Sequence, residues 1–383
     1  MVAVLILFWL SVFGLAYIFV GYPLLIKTLA HFHPGPEPVV GAVRPFSVVI
    51  VGYNEAKNLT AKIESIFAST VAEHLVDLHV ASDGSDDDTA SLLDALADKR
   101  IVHHAFAERR GKAAVLNEVV PSCKTEIVIL TDARQVLNAE ALQRLLERFG
   151  DERVGVVSGE LVLDDGEGVT SAGKGMGAYW RYEKMIRQAE ARYKSVPGAT
   201  GALYAMRKDL YQPIPEDSLL DDVAIPMRVV LQGYRCVFEG GALAFDAPSE
   251  TALQESVRKR RTISGNVQVV QQCPAILSPT KNPIWMQFVS HKLARLGSPF
   301  LLLSVLICAW LLREDVLYFW ALLLQLVFYV LAIVGWLLQA VGVKTGVLGV
   351  PLMFTSLNLT TGLAWIDILS GRYVVTWDRS DKA

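Results

Sequence analysis

Apolar positions fall along this chain in three regimes. Residues 2–26 are almost unbroken apolar, interrupted only by Ser11 and small residues and closed by Lys27. About 20 apolar residues suffice to cross a bilayer, so residues 1–27 read as a transmembrane anchor. No basic segment precedes the run and no small-residue cleavage site follows it, which favours an uncleaved anchor over a signal peptide. Lys27, His31, His33 and Arg44 follow the run, and the positive-inside tendency places what comes after them in the cytoplasm. Pro34-Gly-Pro-Glu-Pro38 reads as an extended linker.

Residues 45–280 change character, with short apolar runs alternating with amphipathic ones. Phe46-Ser-Val-Val-Ile-Val51 has the form of a strand buried on both faces. A helix is expected over about 55–69, a strand over 75–82, a helix over 87–98 and a short strand near 100–104. A helix opening at Lys112, a strand over 126–131 and a helix over 139–149 follow. This alternation predicts βαβ units, an α/β fold and a mostly parallel sheet. Ligands of such sheets sit beyond the carboxyl ends of the strands. Those ends carry Tyr53-Asn54-Glu55, Ser82-Asp83-Gly84 and Thr131-Asp132, so three polar clusters should converge on one edge.

The third regime returns to membrane-like composition. Ile284–Leu296 mixes apolar residues with His291, Lys292 and Arg295, and residues 281–298 read as an amphipathic helix lying in the interface, or else as a surface helix of the domain. Within 299–370 lie two apolar runs, 299–312 and 316–342, separated by Arg313-Glu-Asp315. The first is short unless it borrows from the amphipathic stretch. A last apolar segment, 346–369, carries polar residues, and either crosses or re-enters. A full crossing would put Arg372, Arg379 and Lys382 outside, against the positive-inside tendency. Mean hydropathy of +0.36 with 20% charged residues fits a chain that is part membrane, part water-facing domain. A net charge of −3 argues against a nucleic-acid binder. The four cysteines are widely spaced, forming no metal or disulfide pattern.

No GxxxxGK[ST] or GxGxxG follows the first strand, so the usual backbone cradles for phosphate are missing. Strand-end carboxylates suggest instead that phosphate is held through Mg²⁺ or Mn²⁺, which takes one or two carboxylates plus phosphate oxygens. Asp83 and Asp132 are best placed for this, although each could equally cap the helix that follows. Asp86, Asp87 and Asp88 read as capping residues.

Six strings in order resemble family 2 glycosyltransferases. They are Ser47-Val-Val-Ile-Val-Gly-Tyr-Asn-Glu55, Ala81-Ser-Asp-Gly-Ser-Asp86, Arg110-Gly-Lys-Ala-Ala-Val-Leu-Asn117, Thr131-Asp-Ala-Arg134, Gly198-Ala-Thr-Gly-Ala-Leu-Tyr204 and Leu220-Asp-Asp-Val223. The resemblance covers about residues 45–270 and is to the membrane-bound polysaccharide-synthase type, which makes cellulose, chitin oligomers or poly-N-acetylglucosamine. It implies a GT-A-like domain plus transmembrane helices, in a multi-pass protein of the inner (cell) membrane. Tyr53, Glu55 and Asp83 would hold the base and ribose of a nucleotide-sugar, with a UDP-sugar as the leading donor. Lys112 would approach the donor, and Asp132 would meet the metal and diphosphate. Gly201 and Asp221 would lie on the side of the glycan or lipid-linked acceptor, and Asp222 would be the general base of an inverting transfer. For Asp221 and Asp222 the alternative is a pair of helix N-terminal acids; for Lys112 it is a solvated lysine.

Two departures stand out. The family often reads DxD at the metal motif, but here Arg134 takes the third place. Arg258-Lys-Arg-Arg-Thr262 occupies the place of the QxxRW motif of processive synthases, with Arg258 for Gln and Thr262 for Trp, while Arg261 and Gly265 match. Arg258 and Arg261 would face the leaving diphosphate, where guanidinium groups stabilise developing charge, or else contact anionic lipid. The lost tryptophan weighs against long-chain synthesis and towards single-sugar transfer to a lipid carrier. A catalytically silent nucleotide-binding scaffold is a further alternative. Tyr179-Trp-Arg-Tyr-Glu183 either lines an acceptor groove or packs on the sheet.

Overall fold

The computed structural model describes residues 1–96, 98–163, 171–247 and 252–371, the side chains of 171–178 and 252–255 excepted. Arg372, Arg379 and Lys382 therefore lie outside the described residues. The chain opens with a long helix, α1 (Val2–Phe32). The domain then runs β1 (Phe46–Gly52), α2 (Ala56–Phe67), β2 (Leu75–Asp83), α3 (Thr89–Asp94), β3 (Ile101–Phe106), α4 (Lys112–Ser122) and β4 (Ile127–Asp132). Next come β5 (Val136–Leu137), α5 (Ala141–Glu147), β6 (Val154–Leu163), α6 (Ser171–Tyr193), β7 (Tyr204–Arg207), α7 (Asp221–Leu231), β8 (Arg235–Asp246) and α8 (Ala252–Gln272). Three more helices, α9 (Trp285–Leu311), α10 (Val316–Ala340) and α11 (Gly346–Ser370), complete the described chain.

The strands form one eight-stranded sheet in the order β3-β2-β1-β4-β7-β6-β8-β5. The first four are parallel, as the βαβ alternation requires, and β6 with β8 is parallel too. Pairings β4–β7, β6–β7 and β5–β8 are antiparallel, so the sheet is mixed. The β1 run is apolar but for buried Ser47, because both its faces are covered. Val49 and Val51 pack with Val115 and Val119 of α4 and with Val223 of α7. Val48 and Ile50 pack with Leu59, Ile63 and Ile66 of α2 and with Leu142 of α5. Each such fully buried side chain contributes about 1.5–3 kcal/mol. The expected helix over 87–98 shrinks to the six residues of α3, opened where Asp87 Oδ1 accepts from the Thr89 amide at 3.0 Å.

Helices α1, α9, α10 and α11 are long and apolar enough to cross a membrane. The Ile284–Leu296 stretch, expected to lie along an interface, runs helically into the apolar segment after it, which reaches spanning length by that borrowing. Its polar residues face protein: His291 and Arg295 pair with Glu183 of α6. The aromatic stretch 179–183 packs in part on α1. Tyr182 packs with Met185 against Tyr22 and Ile26 of α1, and its hydroxyl donates to the Phe19 carbonyl at 2.9 Å.

Candidate active site

Register brings the three polar strand ends together. Across the neighbouring strands β2, β1 and β4, Gly52 pairs with Ser82 and Val51 with Asp132. Beyond β1 the chain turns at Asn54, whose φ of 55° is rare for a residue with a side chain. Its amide side chain exchanges hydrogen bonds with Asp86, and Asp87 accepts from the Ala56 amide at 3.2 Å. These aspartates therefore lock the β1 and β2 loops to each other as well as opening α3.

Asp83 is buried and accepts from the amides of Arg110 and Gly111, at 2.8 Å each. That holds the turn before α4, and so aims Lys112. Tyr53, Glu55, Asp83, Lys112 and Asp132 line one cleft. Over the Tyr53 ring lies the Arg109 guanidinium, 3.9 Å from its centroid, a contact the motif strings did not reveal. A flat ring capped by a planar cation at the cleft's edge suits a nucleobase.

On the other side of the cleft, α7 opens with Asp221 and Asp222, facing the loop before β7. The Gly201 amide donates to Asp222 Oδ2 at 3.0 Å, and the Ala199 amide to the Asp222 carbonyl at 2.7 Å. A Cβ placed on Gly201 would lie 3.5 Å from both Asp132 Oδ2 and Asp222 Oδ2, so the carboxylates ending β4 and opening α7 approach one point. Lys112 joins them. Its Nζ sits 2.7 Å from Asp132 Oδ1 and 3.0 Å from Asp221 Oδ2. Burial alone would lower the Lys112 ammonium, but the two carboxylates outweigh it and hold the pKa above the usual lysine range.

Asp222 behaves differently. Burial, and then the like charge of Asp221, raise its pKa to about 6, against the pull of Lys112 and Lys292. Arg261 reaches this carboxylate group from α8. Burial lowers its pKa while Asp221, Asp222 and Asp132 oppose the drop, and its Nη2 donates to the Leu219 carbonyl at 3.0 Å. Arg258 lies three residues before it on the same helix. Arg260 between them points elsewhere and pairs with Asp367 of α11.

Two results bear on a metal. Arg134, in the third place of the DxD pattern, pairs with buried Asp246 at 2.7 Å and is turned to that carboxylate. Among the described residues, no group of three or more His, Cys, Asp or Glu is arranged to hold an ion. Asp132 is the fitting carboxylate, and an ion there would complete its shell from the phosphates of a bound nucleotide, in keeping with Mg²⁺ chemistry.

One residue at the site escaped sequence reading altogether. Lys62 of α2 is fully buried, and its Nζ donates to Thr131 Oγ1, beside Asp132, at 2.6 Å. Burial lowers its pKa to about 7 against the pull of Asp132 and Asp246. The signal was its position: three residues after Leu59 and four before Ile66, it falls on the apolar stripe of the helix.

Comparison with known proteins fits this geometry. The sequence model of glycosyl transferase family 2 matches residues 47–214. A poly-beta-1,6-N-acetyl-D-glucosamine synthase of Staphylococcus aureus is 21% identical over 221 residues, 56% of this chain and 53% of that protein. An uncharacterised glycosyltransferase of Nostoc sp. is 28% identical over 126 residues, 32% of this chain and 38% of the relative. The chain thus spans about half the length of the curated synthase it matches. Among solved structures, a mannosyltransferase from Pyrobaculum calidifontis, in complex with GDP-Man and Mn²⁺, superposes with a TM-score of 0.71. It is 20% identical, and the match covers 96% of this chain and 100% of that one.

Proposed function

From the premise that this chain carries a family 2 glycosyltransferase domain and is a glycosyltransferase, we propose that Asp222 is the general base of an inverting transfer. The acceptor hydroxyl gives its proton to Asp222 while its oxygen bonds to the anomeric carbon. The bond from that carbon to the diphosphate breaks, and the nucleotide leaves with the electron pair. One observation carries the assignment. Of the two carboxylates opening α7, Asp221 is paired with Lys112, whereas the Asp222 side chain accepts from the uncharged Gly201 amide and has its pKa raised to about 6. A base works best when its pKa lies near the working pH, and such assistance is worth about 10²–10⁴-fold.

Tyr53, Glu55 and Asp83 form the nucleotide side. A uridine diphosphate sugar is the first donor to try. A guanosine diphosphate sugar is the second, since the solved mannosyltransferase holds GDP-Man. A divalent cation, Mg²⁺ or Mn²⁺, would be held by Asp132 and supplies charge to the leaving diphosphate. Lys112 and Arg261 add protein charge on the same side, and Arg258 extends it. Gly201 and Asp221 shape the acceptor side. The acceptor is a glycan or a lipid-linked sugar at the membrane. This is supported by four helices of spanning length and by exposed Trp310, Phe319, Trp320 and Trp336, apolar surface that water would penalise. The positive-inside bias after α1 supports a catalytic domain in the cytoplasm. Single-sugar transfer is favoured over a long polymer, because Arg258 and Thr262 replace the glutamine and tryptophan of processive enzymes.

Purified full-length protein, given a panel of nucleotide-sugars with Mg²⁺ or Mn²⁺, should release nucleoside diphosphate from at least one donor. Asp222→Asn should cut that release about 10²–10⁴-fold with donor binding kept. The wild-type rate should fall tenfold per pH unit below about 6, where Asp222 takes up a proton. Equal release by wild type and Asp222→Asn would remove the base from this residue.

A further inference from the structure

Resting on the reading above, we infer that the acceptor carries a phosphate or diphosphate ester, as a lipid-linked sugar does, and that Arg187 and Lys292 bind it on the membrane side of Asp222. The argument starts from a charge inventory where α6, α1 and α9 meet. The acids there are Glu183 and Glu190, and each is committed. Glu183 pairs with Arg295 and accepts from His291 Nε2 at 3.0 Å. Glu190 takes the Tyr22 hydroxyl and lies 2.9 Å from His291 Nδ1.

Arg187 and Lys292 are left over. Arg187 donates to a neutral group, Ser158 Oγ at 2.8 Å, and rests 4.9 Å over the Phe238 ring. Neither cation forms an ion pair among the described residues. Both act electrostatically on Asp222, and they oppose one another as like charges. Glu183, Glu190 and Asp222 act favourably on both cations from a distance, yet the cost of burial still outweighs that help, and an anion bound in direct contact would relieve it.

Placement separates this pair from the donor side. Lys112 approaches the carboxylates from the start of α4, on the side of Asp132, where the diphosphate of the donor would lie. Lys292 comes from α9, a helix of spanning length, within a π turn at Phe288–Leu293. Such turns recur at functional sites because the extra residue re-aims side chains. Arg187 is wired to the acceptor loop as well: the Ser158 hydroxyl that takes its hydrogen bond also accepts from the Thr200 amide at 3.1 Å, next to Gly201. A phosphate held by both would tether an amphiphilic acceptor at the membrane edge with its sugar hydroxyl towards Asp222.

The test is binding to the full-length protein in detergent, using farnesyl phosphate, farnesol and phosphatidylglycerol as probes. Wild type should bind farnesyl phosphate about tenfold or more tightly than farnesol, the effect of one charge-assisted contact. Lys292→Gln and Arg187→Gln should each erase most of that preference, and Lys292→Arg should restore it. Nucleoside diphosphate should bind all of them as it binds wild type, which also shows that they are folded. Equal binding of phosphate and alcohol by wild type would overturn the inference, as would an unchanged preference in both glutamine variants. Displacement of farnesyl phosphate by equimolar phosphatidylglycerol would reassign the pair to bulk lipid headgroups. Weakened nucleotide binding in Lys292→Gln would reassign it to the donor. None of these failures touches the assignment of the base, which stands or falls on turnover by Asp222→Asn.

Discussion

The two sides of the cleft are built by different rules. One side is the work of three adjacent parallel strands whose ends fall next to each other by register, so Tyr53, Asp83 and Asp132 meet because β1, β2 and β4 are neighbours. Nothing similar fixes the opposite side. Gly201 lies in a loop before an antiparallel strand, Asp222 opens a helix, Arg261 belongs to another helix, and Lys292 to a fourth element beyond the domain. These residues meet only when α6, α7, α8 and α9 have packed. A site built on strand ends tolerates change in its helices, whereas one assembled from helices depends on how closely they approach.

Lys112 is where the two sides are tied, and cutting it should have the largest effect. Lys112→Met leaves Asp132 and Asp221 facing one another without the ammonium between them. Breaking a buried pair from one side costs about 3–5 kcal/mol. Thermal unfolding in detergent should show a loss of that order, and nucleotide affinity should fall with it. If Lys112→Met unfolds like wild type, the two sides are independent, and the bridge is only a contact.

Gly265 tests the helix-built side alone. A Cβ there would lie 2.4 Å from Leu220 Cγ and 3.2 Å from Leu219 Cβ, so α8 packs against the residues just before Asp221 through the absence of a side chain. Gly265→Ala must push α8 or α7 outward, at about 1–3 kcal/mol for an overpacked contact. Turnover should drop as Arg261 and Asp222 shift, while nucleotide binding at the strand ends holds. Parallel loss of both would mean that the two sides move as one unit.

The same contrast explains what could be read from sequence. Short apolar runs ending in Tyr53, Asp83 and Asp132 announced parallel strands and a converging edge, because strand order in βαβ units is nearly local. Asp222 was singled out through its motif, and its different surroundings from Asp221 were not legible, since they depend on which acid Lys112 reaches. Arg187 lies in an aromatic helix with two plausible faces. Lys292 sits in a segment whose mixed composition reads equally as interfacial. In both, the pairing of neighbouring acids decides the role, and His291 lies 101 residues from Glu190 and 108 from Glu183 in sequence. The Arg134–Asp246 pair, 112 residues apart, is equally invisible to spacing.

Lys62 gives the mildest probe, on the strand-built side. Its folded pKa, about 7, lies below the ordinary lysine value of about 10.4. Between those two values the unfolded chain holds a proton that the folded one has released, so stability rises with pH across that window. At or below pH 7 the buried charge is retained and opposes folding. Lys62→Met keeps the stem's packing and removes the ammonium, and Thr131 still donates to the Ala202 carbonyl. The variant should therefore gain on the order of 1 kcal/mol at pH 6–7, with the advantage fading towards pH 10. Unfolding midpoints at several pH values would read this directly. A wild-type curve that is flat from pH 7 to 10, or a Met variant that loses stability at pH 6, would mean that the Thr131 and Asp132 interactions outweigh burial. Lys62 would then be a support for the end of β4 instead of a charge the fold tolerates.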